Sequence, residues 1–290
     1  MIKLRHTFLL ALVLVLCYGC PGDNTITPFD HEAQAIIDKD SLTEFLKSNY
    51  YDAVKDSIKP LKTGETALIN DSNLKSKDVT YSNVDYTMYY YVNRVGDPKP
   101  VKGFPTYMDS VLVNYDGQSI IRKDSLSSPF DKRDNFWLIL SGVIPGWSEG
   151  FQHFKGGENI TNNGPITYIN SGKGILILPS GLAYRNIAQS SIAANSNLVF
   201  YIELLDIAED TDQDNDGVPS IFEIENASVE SDPRLVDTDG DGTPNYNDSD
   251  DDGDGVLTKD EDANGDGDPR NDFSDPKNPT LPDYLNPNIK

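Results

Sequence analysis

The chain has 290 residues, 37% of them hydrophobic, which allows one or two compact domains and an extension around one ordinary core. Its formal net charge of −23 is uneven: residues 209–290 hold 25 Asp and Glu against 5 Lys and Arg, while residues 1–208 are close to neutral. An acidic segment repels phosphate backbones and no basic stripe or helix appears elsewhere, which speaks against a nucleic-acid partner.

Residues 1–20 read as an export signal. Lys3 and Arg5 give a positive start and residues 8–16 an unbroken apolar run. That run is too short to cross a bilayer as a helix, which needs about 20 residues. Cys17-Tyr18-Gly19-Cys20 resembles a bacterial lipoprotein box, with Gly19 before the cysteine to be acylated and Cys17 where Leu is usual. The expectation is a lipid on Cys20 and a place in the bacterial cell envelope, at the outer membrane or a membrane facing the periplasm. A plain signal peptide with an incidental cysteine is the alternative. Cys17 and Cys20 are the only cysteines, so no disulfide forms beyond them.

Residues 21–80 are expected to be a tether and a helical extension, with the clearest helical pattern over residues 30–59. Ser41-Leu42-Thr43-Glu44 has capping-box form. Ile36, Ile37, Phe45, Leu46, Tyr50 and Val54 make an interrupted apolar stripe, suited to a spacer or a brace. From residue 81 the period becomes that of strands: Tyr86, Met88, Tyr90 and Val92 alternate, and apolar runs follow at 111–115, 136–140, 175–178 and 198–205. One short helix fits between them at 145–154, with Pro145 in its first turn and Gly156-Gly157 beyond its end. Several strands and one central helix predict an α+β domain over residues 81–208, an antiparallel sheet wrapped around that helix.

Three blocks in this region carry a resemblance. Val143-Ile144-Pro145-Gly146-Trp147-Ser148-Glu149-Gly150 resembles the start of the helix in FKBP-type peptidyl-prolyl isomerases. Ile177-Leu178-Pro179-Ser180-Gly181-Leu182-Ala183-Tyr184 is similar to their next strand and loop. Ile192 with residues 197–205 is similar to their last loop and closing strand. The resemblance implies a shallow aromatic pocket for proline. Trp147 would form its floor, and Tyr115, Phe136, Val143, Ile144, Tyr184, Ile192 and Phe200 its walls. The Ile144 N–H and the Tyr184 hydroxyl would hold the carbonyls of a bound peptide. Phe130-Asp131 is the candidate for the family's Phe-Asp pair, with Lys123-Asp124 as its rival. No cofactor is implied for catalysis. The sequence departs from the family in a longer stretch between Gly157 and Ile175, in Arg185 for a usual glycine, and in Ala193-Ala194 for a proline pair. It also lacks a histidine between Tyr184 and Ile192. Taken singly, Trp147, Phe136 and Phe200 read better as ordinary core aromatics, and only the order of the three blocks lifts them above that.

Residues 209–290 form the acidic tail. Asp212, Asp214, Asp216 and Glu223 stand at positions one, three, five and twelve of a loop with Gly217 at six, the spacing of an EF-hand calcium loop. Asp250, Asp252, Asp254 and Glu261 repeat it around Gly255. Asp237, Asp239, Asp241 and Asp248 make a third version, and Asp262, Asn264 and Asp266 a fourth whose twelfth place is Phe273. The segment resembles thrombospondin type 3 repeats without their cysteines. Oxygen ligands without Cys or His suit Ca²⁺ rather than zinc, and the expected role is structural, a calcium-stiffened stalk. A solvated, disordered acidic linker is the alternative.

The expected function is a monomeric, lipid-anchored isomerase acting on proline-containing polypeptides. A binding or chaperone module of weak activity and a calcium-dependent surface spacer or adhesion protein are the competing readings.

Overall fold

The computed structural model describes residues 28–224 and 233–290; Cys20 and the export signal lie outside them. Helix α1 (His31–Ser48) begins the described chain, followed by a hairpin of β1 (Asn49–Asp52) and β2 (Ser57–Pro60). Strands β3 (Leu74–Tyr81), β4 (Val84–Arg94), β5 (Ser110–Arg122), β6 (Ser125–Leu126) and β7 (Asp131–Ile139) precede helix α2 (Pro145–Phe151). A two-residue pair, β8 (Glu158–Asn159) and β9 (Tyr168–Ile169), then leads to β10 (Gly172–Leu178) and β11 (Leu198–Ala208). Beyond residue 208 the described chain holds only short 3₁₀ turns among loops. No described helix is long and apolar enough to cross a membrane.

Seven strands form one antiparallel sheet in the order β3-β4-β10-β11-β5-β6, and β7 also pairs with β5. Central β10 is buried on both faces, which is why residues 175–178 are continuously apolar instead of alternating. Leu176 and Leu178 join the core under α2 with Met88, Val113, Trp147, Phe151 and Phe200. Ile175 and Ile177 face the other way, into a second cluster with Leu42, Phe45 and Leu46 of α1, Ile58 of β2, and Leu68. Helix α2 lies close on β10 because it presents Gly146 and Gly150. A Cβ on either would come within 2.6–2.7 Å of a Leu178 or Leu176 methyl.

The five strands read from the sequence are all strands, and the sheet starts earlier than residue 81, since β3 pairs with β4 along its whole length. Helix α2 ends at Phe151, short of the expected 154. The N-terminal helix differs most. Its cap is Asp30, whose side chain accepts from the Ala33 N–H at 2.9 Å, so Ser41 and Glu44 lie inside the helix and form no box. Residues 49–60 are the hairpin, not helix. Ile36, Ile37 and Val54 are exposed; the buried face is Asp38, Leu42, Phe45 and Leu46. The expected stripe misleads because one of its true members is polar. Asp38 is 1% exposed and accepts from the Ser180 N–H at 2.9 Å and the Ser180 hydroxyl at 2.6 Å. Burial pushes the Asp38 carboxyl up, and these hydrogen bonds oppose it.

Helix α1 therefore braces the sheet. Phe45→Ala should cost about 3–5 kcal/mol, as for a buried aromatic, read from urea unfolding. A change within about 0.5 kcal/mol, as at an exposed site, would show that α1 is only a tether.

Candidate functional site

The first constellation grows from α2 and the three strands under it. Pro145 starts the helix, and the second residue after it, Trp147, is turned into the core at 5% exposure. Three rings meet the indole edge-on: Tyr115 from β5 at 4.8 Å, Phe200 from β11 at 5.0 Å and Phe151 from α2 at 5.4 Å. Such edge-to-face contacts are each worth about 0.5–1.5 kcal/mol beyond the area buried. Phe130 meets Phe200 edge-on at 5.7 Å. Gly117 on β5 permits that closure, since a Cβ there would lie 2.7 Å from the Phe200 ring and 2.8 Å from the Phe130 ring. Val143, Ile144 and Tyr184 are half-buried against the same cluster, and Ile192 is buried in it.

Two charges edge this group: Asp131, whose Oδ2 accepts from the Tyr115 hydroxyl at 2.6 Å, and Arg133, whose Nε lies 3.5 Å from Asp131 Oδ1. Burial and that carboxylate push the Tyr115 hydroxyl up to about 12, and burial pushes the Tyr184 hydroxyl up as well. Both stay protonated near neutral pH and can donate. The Trp147 indole N–H is buried without a partner, a further donor in an otherwise apolar set.

The structure thus brings together Tyr115, Phe130, Asp131, Val143, Ile144, Trp147, Tyr184, Ile192 and Phe200. It favours Phe130-Asp131 over Lys123-Asp124, because Lys123 and Asp124 are exposed at the β5–β6 turn. Phe136 is the exception. It sits on edge strand β7 at 46% exposure under the Arg133 guanidinium, outside the cluster. Arg185, where a glycine is usual in the family, has φ +56 in the left-handed region. The long stretch between Gly157 and Ile175 is the β8–β9 hairpin.

Two residues that position the site gave no readable signal. Gly117 looks like any strand glycine. Asp38 looks like one more helix surface acid, yet it holds Ser180, four residues before Tyr184, with Asn197 Oδ1 sharing the Ser180 N–H at 2.9 Å.

The second constellation is the tail. Its four loops share one hydrogen-bond pattern. In each, the first-position carboxylate accepts from the N–H of the sixth residue: Asp212 from Gly217, Asp237 from Gly242, Asp250 from Gly255 and Asp262 from Gly267, at 2.7–3.1 Å. The sixth-position glycines all have φ between +88° and +100°. These turns aim carboxylates inward. Asp212, Asp214 and Asp216 come together, as do Asp237, Asp239 and Asp241, and Asp250, Asp252 and Asp254, with oxygens within 4.8 Å of one another. Two ligands of one Ca²⁺ can be no farther apart than about 4.6–5.2 Å, twice the usual ion–oxygen distance.

The twelfth-position acids follow the same logic. Burial and the charges of Asp252, Asp254 and Asp250 push Glu261 up to about 8, and burial with Asp216 and Asp251 pushes Glu223 up to about 10. Burial, with Asp241 and Asp239 nearby, also raises Asp248. In the fourth loop Asp262, Asn264 and Asp266 form no cluster of three acids, and Phe273 is exposed. Asp272, one residue earlier, is buried; its Oδ1 accepts from the Asn264 N–H and its Oδ2 has no partner.

The tail departs from a stalk of independent loops. Asp251, from the loop of Asp250 to Glu261 (the third in chain order, after those of Asp212 and Asp237), meets Asp216 and Glu223 of the first with oxygens within 4.8 Å. Asp251 occupies a loop position that carries no ligand in the repeat, so the spacing concealed it. The tail also touches the domain: the Ser141 and Gln213 side chains hydrogen-bond, and Arg234 donates to the Ser141 carbonyl at 3.0 Å.

With this geometry in view, residues 102–205 match the family model of FKBP-type peptidyl-prolyl cis-trans isomerases. The chain is 30% identical over 175 residues to the isomerase FkpA of Escherichia coli K12, covering 60% of this chain and 50% of that protein. It is also 30% identical over 180 residues to FkpA of Aeromonas hydrophila, covering 61% and 58%. The crystal structure of FkpA from Escherichia coli is similar at a TM-score of 0.36 and 28% identity, covering 60% of this chain and 64% of that one. The chain spans about half the length of the curated relatives it matches.

Proposed function

We propose that the chain, whose residues 102–205 form an FKBP-type peptidyl-prolyl cis-trans isomerase domain, accelerates rotation about X–Pro bonds in exported or cell-envelope polypeptides. The observation that carries this reading is the ring set closed around Trp147 by Tyr115, Phe200 and Phe151 inside the matched residues. Rotation about the X–Pro amide faces a barrier of about 18–20 kcal/mol and breaks no bond. Neither nucleophile nor general acid is required. The twisted amide has lost resonance, so its carbonyl is less polar than in the planar form. An apolar aromatic cleft therefore disfavours the planar amide relative to the twisted one. Protonated Tyr184 and the Ile144 N–H would hold the flanking carbonyls in the rotated geometry, and Asp131 orients Tyr115 in the wall. Each ~1.4 kcal/mol of preference for the twisted form gives tenfold in rate.

A second reading has its own observation. Trp137 and Ile139, on one face of β7, are 49% and 38% exposed, and Phe136, on the other face, is 46% exposed, apolar edge-strand side chains on which a polypeptide client could rest. Under that reading the chain binds proline-bearing segments without accelerating their isomerisation.

For the tail we propose structural Ca²⁺ held by the first- to fifth-position carboxylates of each loop with Glu223, Asp248 and Glu261. The buried carboxylate oxygens of Asp214, Asp216, Asp252, Asp254 and Glu261 that lack partners support it. The ion would neutralise clustered acids that, among the described residues, a single salt bridge, Lys290 to Asp254 at 3.8 Å, relieves only at one carboxylate. For the N-terminus we propose acylation at Cys20 and attachment to a bacterial envelope membrane, supported by the apolar run and Gly19-Cys20.

Trp147→Ala and Tyr184→Phe should each slow a protease-coupled isomerisation of a proline peptide by about tenfold or more, with far-UV spectra near native. Full activity in a folded double variant would sink the isomerase reading, and peptide binding without acceleration by the wild type would favour the client-binding one. Calcium at about 10⁻³ M, the range of exported modules, should protect residues 209–275 from proteolysis, and magnesium should do so poorly. Equal cleavage with and without calcium would refute the tail assignment. Cys20→Ala should move the protein from the membrane to the soluble fraction, and a wild type that incorporates no fatty-acid label would show that the cysteine is incidental.

A further inference from the structure

The tail contains a carboxylate that the repeat spacing gives no task. Asp251 is the second residue of the third loop, a position between ligands, yet it is 2% exposed. It lies with Asp216 and Glu223 of the first loop, which are 0% and 3% exposed, and the three offer oxygens within 4.8 Å of one another. Each has an oxygen with no hydrogen-bond partner: Asp251 Oδ1, Asp216 Oδ2 and both Glu223 oxygens. The other oxygens are committed in a way that aims the free ones. Asp216 Oδ1 accepts from the Val218 N–H at 2.8 Å, and Asp251 Oδ2 accepts from the buried Thr258 hydroxyl at 3.2 Å. No described Lys, Arg or His forms an ion pair with any of the three. Three unpaired carboxylates shut away from water are too costly to stand without a compensating charge.

We propose that Asp216, Glu223 and Asp251 form a buried site for one hard divalent cation, which fastens the first acidic loop to the third. The inference rests on the reading of the loops as cation sites and goes beyond it, because the ligands come from two loops. The donor set is all carboxylate, and residues 209–290 contain no Cys or His, so the cation is of the calcium class and not zinc. Asp216 also belongs to the cluster with Asp212 and Asp214, so this site adjoins the first loop's own. Occupying it ties residue 251 to residues 216 and 223, so the two loops become ordered together instead of one by one. The fastening also bears on the domain, since Gln213 of the same first loop bonds to Ser141.

The test uses the full chain, stripped of metal by a chelator and titrated with calcium chloride. Equilibrium dialysis reads affinity, and amide hydrogen exchange reads each loop. Asp251→Asn should weaken one calcium by tenfold or more and abolish calcium-induced protection of residues 212–223, in the other loop. Glu223→Gln should in turn remove protection of residues 250–258, which a ligand confined to its own loop would not do. Asp260→Asn, which removes an exposed acid that belongs to none of the carboxylate clusters, should leave both segments protected. If each variant affects only its own loop, or Asp251→Asn leaves affinity and protection unchanged, the shared site is wrong and the separate loops stand. A wild type that takes up no calcium would instead overturn the reading of the loops themselves.

Discussion

The burial of β10 on both faces is the constraint on which the rest of the structure depends. A strand whose successive residues are Ile175, Leu176, Ile177 and Leu178 can hide only if something covers each side of the sheet. Helix α2 covers one side and helix α1 with the β1–β2 hairpin covers the other. Each buried Leu or Ile contributes about 1.5–3 kcal/mol relative to exposure, so neither cover is decoration. The close seat of α2 follows from Gly146 and Gly150, and that seat sets the height of Trp147 above the sheet. Trp147 is therefore placed by backbone proximity one residue before it and three residues after it.

The second cover reaches the site by another path. Asp38 turns inward from α1 because Ser180 offers it two donors, and Ser180 begins the turn that delivers Tyr184. An extension that reads as a spacer is thereby coupled to the turn before Tyr184. The link is a buried hydrogen-bonded carboxylate, which is costly to leave half-made.

The two functional regions solve opposite problems of solvation. The ring cluster around Trp147 keeps charge to its edge, where Asp131 holds the Tyr115 hydroxyl and Arg133 lies beside Asp131. The tail collects carboxylates until their burial needs a counter-charge, and it has too few apolar side chains to fold on packing alone. One region is held by dispersion and ring geometry, the other by hydrogen-bonded turns that bring carboxylates together. They meet where Gln213 and Arg234 reach Ser141, two residues before Val143 at the cleft.

Much of this was legible in residue order, for a physical reason. Strands 84–94, 110–122, 131–139, 172–178 and 198–208 show in their apolar runs, and the loops of the tail show in spacings of two residues, because both rest on local backbone geometry. The blocks around Trp147, Tyr184 and Phe200 were readable as a set. What only the tertiary structure decided depends on which distant surfaces meet. Phe136 lies outside the ring cluster because edge strand β7 turns it to solvent, and residues 49–60 leave the helix to pair as a hairpin over the sheet. Gly117 matters only because Phe130 and Phe200 close over it, and Asp38 only because Ser180 lies opposite. Asp251 has no role within its own loop; it acquires one from residues 35 and 28 positions earlier, Asp216 and Glu223, and no local pattern records a partner brought in by folding.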